Sequence, residues 1–189
     1  MKIWVIGHSI VHWTADYARS QNCGLNLNIH PKVRFYWMAQ RGMRWRSLMP
    51  MLRSAAVTHD PPRVLIIHAG ENDLVEQKGI ALTLAARADL KSLHALYPSM
   101  TIGWSNLLPR LHWRGASNPS RLNYAVSKIN RAMRNTMRQI GGFSIPHPTI
   151  TSDRVDLFRG DGVHLTPLGN DVWLHVLRQA LGDWIDCGV

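Results

Sequence analysis

The chain has 189 residues and a formal charge of +10 at neutral pH, from 22 Lys and Arg against 12 Asp and Glu. That length suits one domain over 1–189 with room for a central sheet covered on both faces, and no stretch approaches the roughly 20 apolar residues of a membrane-spanning helix. His8, Ser9 and His12 interrupt the N-terminal apolar run well short of a signal core, and Cys23 and Cys187 lie far apart without metal-like spacing, so they read as free thiols of a soluble, intracellular protein, cytoplasmic or nuclear.

Apolar runs and helical periodicity then alternate along the chain. The run 2–6 reads as a short buried strand, Gly7 permits a sharp turn out of it, and Ser9 falls at the start of an amphipathic helix over 10–21. A second strand is expected at 33–37, followed by Gly42 and a helix over 44–57. The strand 63–68 runs directly into Gly70-Glu71-Asn72-Asp73, ahead of a helix over 79–97. A strand at 100–105, a helix over 119–140 and a short strand at 143–146 follow. Thr166-Pro167, a cap residue and then proline, opens a last helix over 167–185. Such strict alternation predicts an α/β fold: a single three-layer α/β/α domain with a five-stranded parallel sheet and right-handed crossovers. The irregular stretches are 22–32, 106–118 and 146–160, and loops of this kind commonly wall active sites.

Chemistry is carried by short motifs in a fixed order: Gly7-His8-Ser9, Gly42, Gly70-Glu71-Asn72-Asp73 and Asp161-Gly162-Val163-His164. A serine at a helix N-terminus presents its Oγ together with a backbone N–H that can point at developing negative charge. Asn72 ends the third strand, and because consecutive strands of such a sheet end on one edge it can approach Ser9, bringing amide N–H donors. Asp161 and His164 are spaced to share one loop while the imidazole stays free to face the serine. Singly, Ser9 reads as a helix cap, Asn72 and Asp73 as a turn, and Asp161-Gly162 as a bend. In this combination and order they read as a site.

These motifs resemble the SGNH (GDSL-type) hydrolases, a family of serine esterases and lipases, over nearly the whole chain. The resemblance implies a flavodoxin-like strand order, with Ser9 as nucleophile, His164 as general base and Asp161 as its orienting partner. It also implies an oxyanion hole made by the Ser9 and Gly42 backbone N–H groups and the Asn72 side chain, with no cofactor. The chain departs from the family at Gly7-His8-Ser9, where Gly-Asp-Ser is usual. More loosely, Gly42-Met43-Arg44-Trp45, the stretch from Trp104-Ser105 to Pro109-Arg110, and Trp113-Arg114-Gly115 are similar to SGNH hydrolase domains carried by vertebrate retrotransposons. The implied substrate is a carboxylic ester, either of a short acyl group such as acetyl or of a lipid. The rival reading is a non-catalytic module of the same fold that binds nucleic acid or anionic lipid as part of a retroelement protein.

Charge is unevenly spread. Between Leu90 and Ser152 there is no Asp or Glu, while the helix expected over 119–140 places Lys128, Arg131, Arg134 and Arg138 opposite an apolar face of Leu122, Val126, Ile129, Met133, Met137 and Ile140. That stripe either binds the phosphates of nucleic acid or an anionic membrane surface, without sequence preference, or is a solvated face. Among the eight tryptophans, Trp45 and Trp113 are expected near the catalytic edge, as a substrate wall or as core. His8, beside the nucleophile, is either a substrate-facing group or a filler of the turn. The ten histidines show no zinc-like spacing with acidic or cysteine ligands, and no metal site is expected.

Overall fold

A computed structural model describes residues 1–116 and 118–186. The strands are β1 (Lys2–Gly7), β2 (Arg34–Ala39), β3 (Val64–His68), β4 (Thr101–Ser105) and β5 (Phe143–Ile145). All neighbouring pairs are parallel, in the order β2-β1-β3-β4-β5. The helices are α1 (Ser9–Ser20), α2 (Leu48–Thr58), α3 (Gly79–Leu96), α4 (Pro119–Gln139) and α5 (Pro167–Asp186). The expected elements therefore all form, with ends displaced by a residue or two. The helix expected from 44 instead begins as a single 3-10 turn, Trp45–Ser47, before α2.

Because successive residues of a strand face opposite sides, the central strand β1 feeds two apolar layers. Trp4 and Ile6 join Leu65, Ile67 and Trp104 under α2, α3 and α4, whereas Ile3 and Val5 join Val64 and Ile66 under α1 and α5. Both faces of the middle strands are buried, which is why they read as continuous apolar runs rather than alternating ones. In α4 the buried set is Val126, Ile129, Met133, Thr136 and Met137, and Lys128, Arg131, Arg134 and Arg138 are all exposed, as the helical period requires.

The strand order reverses between β1 and β3, so chain leaving β1 goes to opposite sides of the sheet from chain leaving β3. Such a reversal opens a crevice at the carboxyl ends of the strands. Gly7, the last residue of β1, sits there, and a Cβ at this position would collide with the His68 carbonyl and lie 2.6 Å from Val11. Only glycine lets β1 turn into α1 so close to β3. Cys23 is half-buried against the layer under α1 and α5, and Cys187 lies outside the described residues. No helix among the described residues is long and apolar enough to cross a membrane.

Candidate active site

Ser9 is the first residue of α1 and is almost entirely covered. The cap of this helix is His8, whose Nδ1 accepts the Ile10 N–H at 3.3 Å. A helix that starts at Ser9 leaves the Ser9 N–H without an intrahelical acceptor. The Ser9 hydroxyl lies 2.9 Å from His164 Nε2, and Asp161 Oδ2 lies 2.6 Å from His164 Nδ1. With its proton on Nδ1 and directed at the carboxylate, the imidazole turns an accepting Nε2 toward the serine.

Asp161 holds both the ring and the loop. Its Oδ1 accepts the backbone N–H groups of Val163 and His164, each at 2.9 Å, while Oδ2 takes the imidazole. Partial burial alone would raise this carboxyl, but the bonds from His164 and from the two backbone groups outweigh it and hold it at about 2. Asp161 is thus a fixed anion at any ordinary pH. The loop is pinned in turn: Gly169 N–H bonds to the Thr166 hydroxyl at 3.1 Å, the cap foreseen at Thr166-Pro167. The buried Asn170 accepts from Thr14 of α1 at 2.8 Å and donates to the Leu165 carbonyl at 3.3 Å, tying the loop of Asp161 and His164 to the helix that carries Ser9.

Gly42 and Asn72 come to the same edge. The Gln40 N–H extends the β1–β2 ladder onto the Gly7 carbonyl at 3.0 Å, and Met43 N–H closes a turn on the Gln40 carbonyl at 3.0 Å. Gly42 occupies that turn with φ of +72°, a conformation that L side chains rarely adopt. Asn72 Nδ2 donates to the Met43 carbonyl at 3.0 Å, and Arg110 Nη2 donates to Asn72 Oδ1 at 2.8 Å. A carbonyl on one side and a guanidinium on the other leave the amide one orientation, with its second N–H unspent. Arg110 is itself buried, with its guanidinium 4.8 Å from the Trp113 ring centroid and its main chain clasped by Asn123.

For three residues the structure decides between the alternatives that the sequence left open, and against contact with substrate. His8 does not face substrate: it is fully buried, and its Nε2 lies 2.6 Å from Glu71 Oε2. Trp45 and Trp113 are not a substrate wall, being 3% and 4% exposed. The Trp45 indole donates to Asp89 and packs on Trp104, its main-chain N–H caps onto Asp73, and the Trp113 indole donates to Asn123. Both rings therefore serve the packing of the loops that carry Gly42 and Arg110.

Sequence reasoning missed the buried group that holds His8, next to Ser9. Glu71 is 1% exposed and accepts from His8 and from Leu108 N–H at 3.0 Å, with His68 Nε2 at 3.3 Å from its other side. His68 Nδ1 continues to Ser105 Oγ at 3.0 Å, and Ser105 to His147 Nε2 at 2.8 Å. Since His8 Nδ1 already accepts, its proton sits on Nε2 and is donated to Glu71. Burial pushes His8 down more than the facing carboxylate raises it, and burial pushes His147 down further still, so both rings are held neutral. Burial would raise Glu71, but the surrounding His8 and His68 draw it well below the usual carboxylate range. Histidines that show no metal-like spacing with acids along the sequence thus do meet a carboxylate in space, with ligand-type atoms of His8, His68 and Glu71 within 4.8 Å of one another. Within that grouping His8 is hydrogen-bonded to Glu71, whereas His68 Nε2 faces the same carboxylate at 3.3 Å without a hydrogen bond. The adjacency of Glu71 to Asn72 was the one available signal.

No family model matches the chain, and no curated protein matches its sequence. Solved structures do match. A member of the lipolytic G-D-S-L family from Veillonella parvula superposes with a TM-score of 0.71 at 16% identity, covering 95% of this chain and 97% of that one. A catalytic mutant of an acetylxylan esterase from Geobacillus stearothermophilus superposes with a TM-score of 0.68 at 13% identity, over 96% and 94% of the two chains. The chain has the α/β/α fold of the SGNH hydrolases.

Proposed function

We propose that this protein is a serine esterase acting on carboxylic esters. The observation that carries the reading is the continuous hydrogen-bonded chain from Ser9 Oγ through His164 to Asp161, at 2.9 and 2.6 Å, on the sheet edge where the strand order reverses. In the reaction His164 Nε2 takes the Ser9 proton as Oγ attacks the ester carbonyl, and Asp161 steadies the imidazolium that forms. The Ser9 and Gly42 N–H groups and the free Asn72 N–H meet the oxyanion. The imidazolium protonates the leaving alcohol, and water, activated by the same histidine, then hydrolyses the acyl-enzyme. A short acyl group such as acetyl is the substrate we favour, in keeping with the acetylxylan esterase among the structural neighbours.

The test is hydrolysis of p-nitrophenyl esters of increasing acyl length by the wild type and by Ser9→Ala, both confirmed as folded. Activity that disappears in Ser9→Ala supports the reading, and the length profile separates acetyl-sized from lipid-sized substrates. Equal inertness of both proteins on esters of every length would sink it.

A second reading rests on α4, where Lys128, Arg131, Arg134 and Arg138 form one exposed face. We propose that this face delivers the esterase to a nucleic acid or an anionic membrane, by contacts to phosphates that are blind to sequence and weakened by salt.

A further inference from the structure

Arg41 and Arg159 stand at the rim of the triad on segments that build it. Arg41 directly precedes Gly42 in the turn after β2. Arg159 is locked to the triad loop at two points, its main-chain N–H to the His164 carbonyl at 2.7 Å and its Nε to the Leu165 carbonyl at 2.9 Å. Both guanidiniums lie over one indole, that of Trp13, at 5.5 and 4.7 Å from its centroid. That indole meets the His164 ring edge-on, with centroids 6.4 Å apart. Two cations are therefore gathered one ring away from the general base, steadied by cation–π contact rather than left to sweep through solvent.

Neither has an anionic partner among the described residues. The nearby carboxylates are engaged elsewhere: Asp161 by His164, and Asp16 by Arg19 at 2.7 Å and His12 at 3.5 Å. Arg44, in the same segment as Arg41, is by contrast paired with Glu76. A guanidinium fork matches phosphate or carboxylate oxygens, and two such forks without a carboxylate partner gathered over one ring present donors for that kind of group beside His164.

We propose that Trp13, Arg41 and Arg159 form a specificity site for an anionic oxygen group, so that the substrate is an ester whose non-reacting part carries a phosphate or similar oxyanion. This rests on the esterase reading and narrows its substrate class. The test compares two esters that differ only by a phosphate group on the glycerol 3-oxygen, glycerol 1-acetate and 1-acetylglycerol 3-phosphate, by acetate release. One charge-assisted hydrogen bond corresponds to a factor of about 10 to 150, so the wild type is expected to favour the phosphate ester in kcat/KM by at least about 10-fold. In the doubly substituted Arg41→Gln/Arg159→Gln protein, checked for an unchanged melting temperature, that ratio is expected to fall toward one. Lysine at both positions should restore part of it. Calorimetric titration of Ser9→Ala with 1-acetylglycerol 3-phosphate reads the same site without turnover, so a failure of the esterase reading remains distinguishable from a failure of the anion site. Cleavage of long-chain phosphatidic acid in vesicles as well as, or instead of, the soluble probe would identify a lipid headgroup as the source of the anion. A wild-type ratio near one with no calorimetric binding, or a ratio that survives the double substitution, would overturn the proposal.

Discussion

Glu71→Gln isolates the buried group that holds His8, the cap in front of Ser9. The glutamate carboxylate receives the His8 and Leu108 N–H groups from a site that is 1% exposed. Glutamine keeps the shape and can still accept from Leu108, but its amide nitrogen then faces the His8 Nε2–H, donor against donor. His8 can relieve the conflict only by moving its proton to Nδ1, which forfeits the cap on Ile10. Leaving a buried donor unsatisfied costs about 1–3 kcal/mol, a sizeable part of the roughly 5–15 kcal/mol that holds a domain together. For a domain of this size each kcal/mol moves the melting temperature by about 2–4 °C, so a drop of roughly 2–12 °C is expected in scanning calorimetry, with a matching fall in the urea midpoint. The pH dependence supplies a second readout. His8 and His147 are held neutral in the fold, so unfolded histidines bind protons first and stability declines as pH falls from their ordinary 6.5 toward their lowered folded values. Glu71 adds a further decline below its ordinary 4.5, because the unfolded carboxylate protonates while the folded one does not. Glu71→Gln should retain the first decline and lose the second. A melting temperature within about 2 °C of wild type, or an acid profile identical to it, would refute this account of the His8–Glu71 pair.

Asp161→Asn removes the anion that holds the His164 proton on Nδ1, and kcat should fall by about 10⁴-fold, as wrong-tautomer substitutions do in triads; a loss below about 10-fold would remove Asp161 from that role. Because Asp161 is held at about 2, it stays ionised through any practical assay range, so its own titration should add no inflection to the kcat/KM profile in that range. Asn72→Ala should lower kcat by about 10² to 10³ with a smaller change in KM, since the donor meets charge that develops late; a change confined to KM would count against it. Reversing Lys128, Arg131, Arg134 and Arg138 to Glu should abolish retention on RNA and on anionic liposomes in low salt, and unchanged retention of both would leave the α4 face a solvated surface.

Much of this protein is written locally. Buried strands are unbroken apolar runs and helices repeat their apolar residues at the helical period, so the elements and the layers of the fold follow from a few neighbours at a time. Gly7, Ser9, Asn72, Asp161 and His164 were legible because each sits where a strand ends or a helix begins, and parallel strands deliver all such ends to one edge. The loops were not legible, because their side chains are placed by whatever the chain packs against after it leaves that edge. His8 and Glu71 are 63 residues apart and meet only because β1 and β3 are adjacent, which decides that His8, open between facing substrate and filling the turn, is a buried cap. Trp45 and Trp113 likewise turn inward once Asp89 and Asn123 are available to their indoles. The amino-acid order by itself determined which groups could reach the carboxyl edge of the sheet. Only tertiary packing decided which of them remain open to a ligand, as Arg41 and Arg159 do, and which are spent on holding the others in place, as Arg110 and Glu71 are.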